Sequence, residues 1–402
     1  MNQPRLTFRS AVILMTGFMV LFVGGGSRFA IGLTLKPMVE EFGWNRATLG
    51  IAAALFLIIS AICMYFAGRL ADKFSLRLIL GGGLAISAVG IGFMGYIEAP
   101  WQAYLLYGGI FAVGNGIASL PPVAVMVTRW FPGRSGLANA VAISGMSVGQ
   151  LVMIAALTVI LAEVGWRPVY GWLGISTLIM VPIVYFSIAH DRDHAAAAAR
   201  QSESATMTMR EIMATNRFRL LALMYVICGF QDFFMTTHVV AFAQDLGVDD
   251  LFAGNLLAFM GLAALIGVFI AGAWSDKSGP VQVTVACFVL RMGVFWLILV
   301  DQQTTSVAIF ALLFGSTFLV TAPLTVIFVR DAFGLKQLGA LGGLITMIHH
   351  IAGGIGAYYG ALLFDWQGNY NLAFAVMLIL SVIATVVTIA FRHDQRHPLI
   401  TS

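Results

Sequence analysis

Long apolar runs alternate with short polar turns along the whole chain. A helix needs about 20 apolar residues to cross a bilayer. Twelve runs meet that requirement, near 10–35, 47–71, 78–97, 102–128, 135–162, 167–189, 217–244, 251–273, 281–300, 305–329, 337–364 and 371–391. A charged turn, Gly68-Arg69-Leu70-Ala71-Asp72-Lys73-Phe74-Ser75-Leu76-Arg77, separates the second run from the third. It returns 204 residues later as Gly272-Ala273-Trp274-Ser275-Asp276-Lys277-Ser278-Gly279, between the eighth and ninth. In each copy a glycine stands four residues before an Asp-Lys pair. The glycine lets two helices approach closely, the aspartate can cap a neighbouring helix terminus, and the basic residues hold the turn at one membrane face. A repeat at half the chain length predicts two similar halves. They are read as 1–189 and 217–402, joined by the polar linker 190–216. The predicted class is an all-α membrane protein, with twelve transmembrane helices in two pseudo-symmetric six-helix bundles.

Composition removes the soluble alternatives. Of 402 residues, 60% are hydrophobic and 10% charged, against about 25% charged in a soluble domain. The net charge of +4 carries no signal for nucleic acid, because the basic residues flank the apolar runs. Seventeen of them fall on one side of the predicted spans, from Arg5 and Arg9 to Arg392 and Arg396. Three fall on the other: Lys36, Arg46 and Arg167. The positive-inside rule then places both termini and the linker in the cytoplasm. The expected location is the plasma (inner) membrane, with the lipid bilayer as the partner of the outer surface and a monomer as the unit. The first apolar run is too long for a cleaved signal region. Cys63, Cys228 and Cys287 lie inside apolar runs without metal-ligand spacing and read as packing residues. No phosphate-binding loop, cofactor motif or metal set is present.

Twelve spans in a six-plus-six arrangement, a long middle loop and the repeated turn resemble the major facilitator superfamily over the whole chain. Further features are similar to the monocarboxylate porters and the related oxalate–formate exchangers. They are Trp130-Phe131-Pro132-Gly133-Arg134-Ser135-Gly136-Leu137-Ala138-Asn139 before span five and Gly165-Trp166-Arg167 before span six. Phe333-Gly334 before span eleven and Phe364-Asp365-Trp366-Gln367-Gly368-Asn369-Tyr370 after it add to the likeness. One departure matters. The porters carry an arginine in span eight where this chain has Val268, and Ala263 and Ala264 fill the region of its acidic companion. The lysine that the exchangers use in span eleven has no counterpart; His349 and His350 stand there instead.

A charge at mid-membrane costs roughly 2.5–3.5 kcal/mol or more, so each one needs a reason. Three acids or bases lie well inside spans: Arg28 in span one, Asp232 in span seven and Arg291 in span nine. Arg28 sits among Gly24, Gly25 and Gly32, which share its helix face and suggest room for a ligand. The resemblance puts spans one and seven at the central cavity. Arg28 there can bind a carboxylate through two parallel hydrogen bonds, or sit in a tight glycine contact paired with Asp232 or backbone carbonyls. Asp232 can carry a proton, with His238 in a gating or protonation role, or it can be a permanent partner of Arg28 or Arg291. Arg291 is expected to be a structural tie. Asn115, Phe230, His349 and His350 complete the substrate-binding candidates. Gly68, Asp72, Arg77, Gly272 and Asp276 are expected to serve the conformational switch. Gly145-x-x-x-Gly149 reads as helix packing.

The resemblance implies a secondary transporter rather than an enzyme, working by alternating access at one midplane site. The expected cargo is a small organic anion, a monocarboxylate, moved by symport with a proton that offsets its charge. The alternative is an exporter of an amphipathic or hydrophobic metabolite, with Phe230, Phe233 and Phe234 as its pocket. A receptor without transport is the third reading.

Overall fold

A computed structural model describes residues 8–71, 74–131, 135–188, 208–333 and 338–395. Among these residues the regular structure is entirely helical. Among the described residues eleven helical spans, some of them broken, are long and apolar enough to cross a membrane, and Thr304–Phe318 is a shorter apolar helix. Span ten, expected as one run, is divided into Thr304–Phe318 and Thr321–Phe333. Its counterpart, span four, is divided at Ala118–Ser119, before Leu120–Trp130. Proline explains both: Pro121 and Pro122 follow one break and Pro323 the other, and proline removes a backbone donor and crowds the preceding turn. Span eight, Asp250–Ser278, continues through the second charged turn instead of stopping before it. Of the expected linker, 208–216 is described. Met209–Ala214 forms a short helix whose first turn is closed by Thr208 and Glu211 in a reciprocal capping box.

Glycines set the helix pairs. A methyl at Gly145 or Gly149 would run into the carbonyls of Phe18 and Phe22, so span five lies directly on span one. The matching contact in the second half puts Gly229 on the His349 carbonyl and Gly356 on that of Phe230, joining spans seven and eleven. Across the halves, Gly50 and Gly354 seat span two on span eleven. Gly254 and Gly261 seat span eight on span five. Exchanging span n with span n + 6 maps each of these pairings onto the other, so the repeat seen in the turns extends to the packing. Lipid tails give helices no hydrophobic reason to associate, so close backbone approach through small residues supplies the attraction.

Candidate functional site

Four weak helix formers, Gly24-Gly25-Gly26-Ser27, precede the point where span one breaks. Phe8–Ser27 ends there, and Ala30–Phe42 begins after Arg28 and Phe29. At the break the ladder tightens: Gly32 N–H donates to the Phe29 carbonyl at 3.1 Å. The Arg28 carbonyl is taken instead by the Tyr107 hydroxyl, which donates to it at 2.8 Å. Tyr107 is fully buried and lies in a π-helical stretch of span four, Tyr104–Phe111, a widening that recurs at functional sites. Nothing in the residue types of that stretch signals it.

The break aims Arg28 between the halves. Its guanidinium lies 5.0 Å from the ring centre of Phe29 and 5.1 Å from that of Phe233 in span seven. Both are cation–π distances. It lines a narrow cleft with Phe56, Leu57, Tyr107, Thr236 and Thr237. Among the described residues no carboxylate pairs with it. The bare face expected around it is corrected in part. Gly25 packs on the Met146 backbone and Gly32 on that of Thr236, because the bundle closes on them. Gly24 is packed less tightly, with the Asn115 amide in ordinary contact at 3.5 Å from where its Cβ would be.

Asp232 is fully buried and meets Arg291, not Arg28. Arg291 Nη2 lies 2.6 Å from Asp232 Oδ1. The rest of the guanidinium is engaged as well. It donates to the Thr317 hydroxyl at 2.9 Å, the Thr317 carbonyl at 3.1 Å and the Gln231 side-chain carbonyl at 3.2 Å. The other Asp232 oxygen is 3.2 Å from His349 Nε2 and accepts from the Cys228 thiol at 3.4 Å. Cys228, Asp232 and His349 thus hold three donor atoms within 4.8 Å of one another. Arg291 already supplies the cation that this carboxylate needs, and the cluster is a hydrogen-bonded one. His350 turns away and bonds the Thr346 carbonyl at 2.9 Å. The Phe233 ring touches both systems, 5.1 Å from Arg28 and 5.7 Å from the His349 ring. Phe230 packs on Tyr359, and Phe234 on His238 and Phe374. Of the three phenylalanines, Phe233 alone lines the cleft.

His238 is buried at the end of the bundle away from the chain termini. Its Nε2 bonds the Ala357 carbonyl at 2.7 Å, which makes that nitrogen a donor. Its Nδ1 is 3.1 Å from the Tyr370 hydroxyl. Tyr370 in turn accepts from Arg46 at 2.7 Å. Arg46, a flanking charge in the sequence, is buried. Its guanidinium bonds both oxygens of Asp245 at 2.7 Å and lies 3.6 Å over the Phe364 ring. Lys36 adds a 3.5 Å contact to Asp245. Span two has no side-chain cap of its own; Asp365 of the other half accepts from the Arg46 and Ala47 N–H groups at 2.9 and 2.6 Å. A carboxylate at a helix N-terminus satisfies orphan donors and faces the positive end of the dipole. Asp365→Ala is expected to remove about 1 kcal/mol or more from this cross-half contact. A single cysteine at Ala53, in the cleft, should then label several-fold faster from the side away from the termini. Unchanged labelling would show that Asp365 does not hold the halves together.

The turn residues divide. A Cβ at Gly68 would sit 3.2 Å from Pro121, a close approach, whereas Gly272 faces open space. Arg77 lies 4.5 Å over the Tyr185 ring in span six. Asp72 and the Asp276 side chain fall outside the described residues.

A family model described as Major Facilitator Superfamily matches residues 17–249 and 221–401. An uncharacterized MFS-type transporter of Bacillus subtilis (strain 168) is 25% identical over 381 residues, covering 89% of this chain and 91% of the relative. Monocarboxylate transporter 13 of Rattus norvegicus is 24% identical over 367 residues, covering 91% and 84%. Among solved structures, a nucleoside transporter superposes with a TM-score of 0.73 at 12% identity, over 97% of this chain and all of the other. That likeness is one of fold.

Proposed function

The chain belongs to the major facilitator superfamily, a family of transporters, and we propose that it moves a small organic anion, a monocarboxylate, by proton symport. One observation carries the reading. Arg28 is the guanidinium in the cleft between the halves, and among the described residues no carboxylate answers it. Arg291, the other arginine well inside a span, is already answered by Asp232. A guanidinium with no carboxylate in salt-bridge contact, in a narrow, mostly apolar cleft, selects an anion with a short apolar body. The relative named as a monocarboxylate transporter is consistent with this class.

The proton is assigned to the His349–Asp232 pair. His349 is the partly exposed member, at 13%, and hands the site on to the buried carboxylate. Phe233 lies between this pair and Arg28, so a substrate that shifts the ring perturbs both at once. The Arg46–Asp245–Asp365 contacts close one end of the cleft and must open in each cycle of alternating access. The unit is read as a monomer in the plasma membrane with cytoplasmic termini.

The test is uptake into proteoliposomes, screening labelled short carboxylates with and without an inward-directed proton gradient. Gradient-driven accumulation of at least one carboxylate supports the reading. Selective transport of uncharged amphipathic compounds, with carboxylates inert, would replace it with the exporter.

A further inference from the structure

A second, small cavity, with room for about one water-sized group, lies inside the first half. Spans one, three, four and six enclose it. Its polar wall is Ser27, Ser87, Asn115 and Thr177; its apolar wall includes Val23 and Phe111. Ser27 is 1% exposed and Ser87 3%, and among the described residues neither hydroxyl has a hydrogen-bond partner. Such a group away from water costs about as much as a lost hydrogen bond, and native structures rarely leave one unmet. The Asn115 amide adds two donors and an acceptor. No charged side chain lines the cavity. Its occupant is therefore neutral and both donates and accepts hydrogen bonds.

The cavity's place relative to Arg28 says what that occupant belongs to. Gly24 borders it and stands one helical turn before Arg28 on the same face, about 6 Å along the axis. With no side chain at Gly24, nothing of span one separates the Asn115 amide from that face. We propose that the Ser27–Ser87–Asn115 cavity is a second substrate subsite. It takes a neutral hydroxyl or carbonyl group that the substrate carries away from the carboxylate held by Arg28. The substrate class is then a carboxylic acid with a distal hydrogen-bonding group rather than a plain or 2-hydroxy acid. This rests on the anion reading of Arg28.

Three acids of one chain length test it: pentanoate, 5-hydroxypentanoate and 2-hydroxypentanoate, compared by uptake and by competition in proteoliposomes. A site built to bond a hydroxyl disfavours an analogue that lacks it. The wild-type protein should favour 5-hydroxypentanoate over each of the other two by about tenfold in kcat/KM. In the Ser27→Ala/Ser87→Ala protein that ratio should fall to about one, through KM for the 5-hydroxy acid. Ser87→Ala alone, which keeps the span-one break intact, should lose part of it. Equal use of the three acids by the wild type would mean that the cavity holds only water and would overturn the proposal. So would a preference that survives both serine changes. Arg28→Ala separates the two readings. Loss of all three acids upholds the Arg28 reading whatever the hydroxyl ratio shows, and undiminished pentanoate uptake removes that reading and the subsite with it.

Discussion

Asp232→Ala is expected to destabilise the folded protein by about 3–5 kcal/mol, the cost of leaving a buried arginine without its counter-charge. Arg291 is 1% exposed and Asp232 fully buried, 2.6 Å apart. Thr317 and Gln231 would still bond the guanidinium, but neither carries a charge. Arg291→Ala should cost a similar amount, since it strands the carboxylate. The double change removes both charges and should recover much of the loss, because the two sites share one interaction and do not add. Thermal unfolding of the four proteins in detergent checks this. A double variant no more stable than the worse single variant would contradict the pairing. Asp232→Asn tests the proton; it too removes the charge that Arg291 faces, so uptake is compared per amount of folded protein in the membrane. It should abolish accumulation against a gradient and leave exchange between loaded compartments. A variant that still accumulates substrate places the proton elsewhere, and His349 is the first alternative.

Arg28→Ala should lower kcat/KM for the transported anion by at least about a hundredfold. Two charge-assisted hydrogen bonds at roughly 1.5–3 kcal/mol each would be lost. Arg28→Lys keeps the charge but not the planar fork, and it is expected to recover only a small part. Insertion and folding should survive, because the break in span one rests on backbone bonds and on the Tyr107 hydroxyl, none of which uses the guanidinium. Normal uptake kinetics in Arg28→Ala would refute the assignment.

The spans were legible because the bilayer imposes them: a helix must be long and apolar to cross, whatever it packs against. Arg28, Asp232 and Arg291 were legible for the same reason, as charges where charges are costly. Their partners were not. Asp232 and Arg291 lie on different spans, and which of the two arginines reaches Asp232 depends on helix packing, which no local pattern carries. The same limit hid the closing contacts at one end. Arg46 looks like a loop charge at the start of an apolar run. It is buried only because Phe364 and Tyr370, more than 300 residues away, fold over it. Gly24, Gly25 and Gly32 read as room beside Arg28, but Met146 and Thr236 pack on two of them and the Asn115 amide reaches the third, which only the packed structure decides.

The central claim, that Arg28 is the anion's binding partner, is tested most directly by equilibrium binding to the purified protein in detergent. The ligand is whichever carboxylate the uptake screen identifies, titrated by calorimetry against wild type, Arg28→Lys and Arg28→Ala of matched thermal stability. The wild type should bind with one site per chain, Arg28→Lys at least tenfold more weakly, and Arg28→Ala not measurably. Binding by Arg28→Ala with the wild-type affinity would contradict the account.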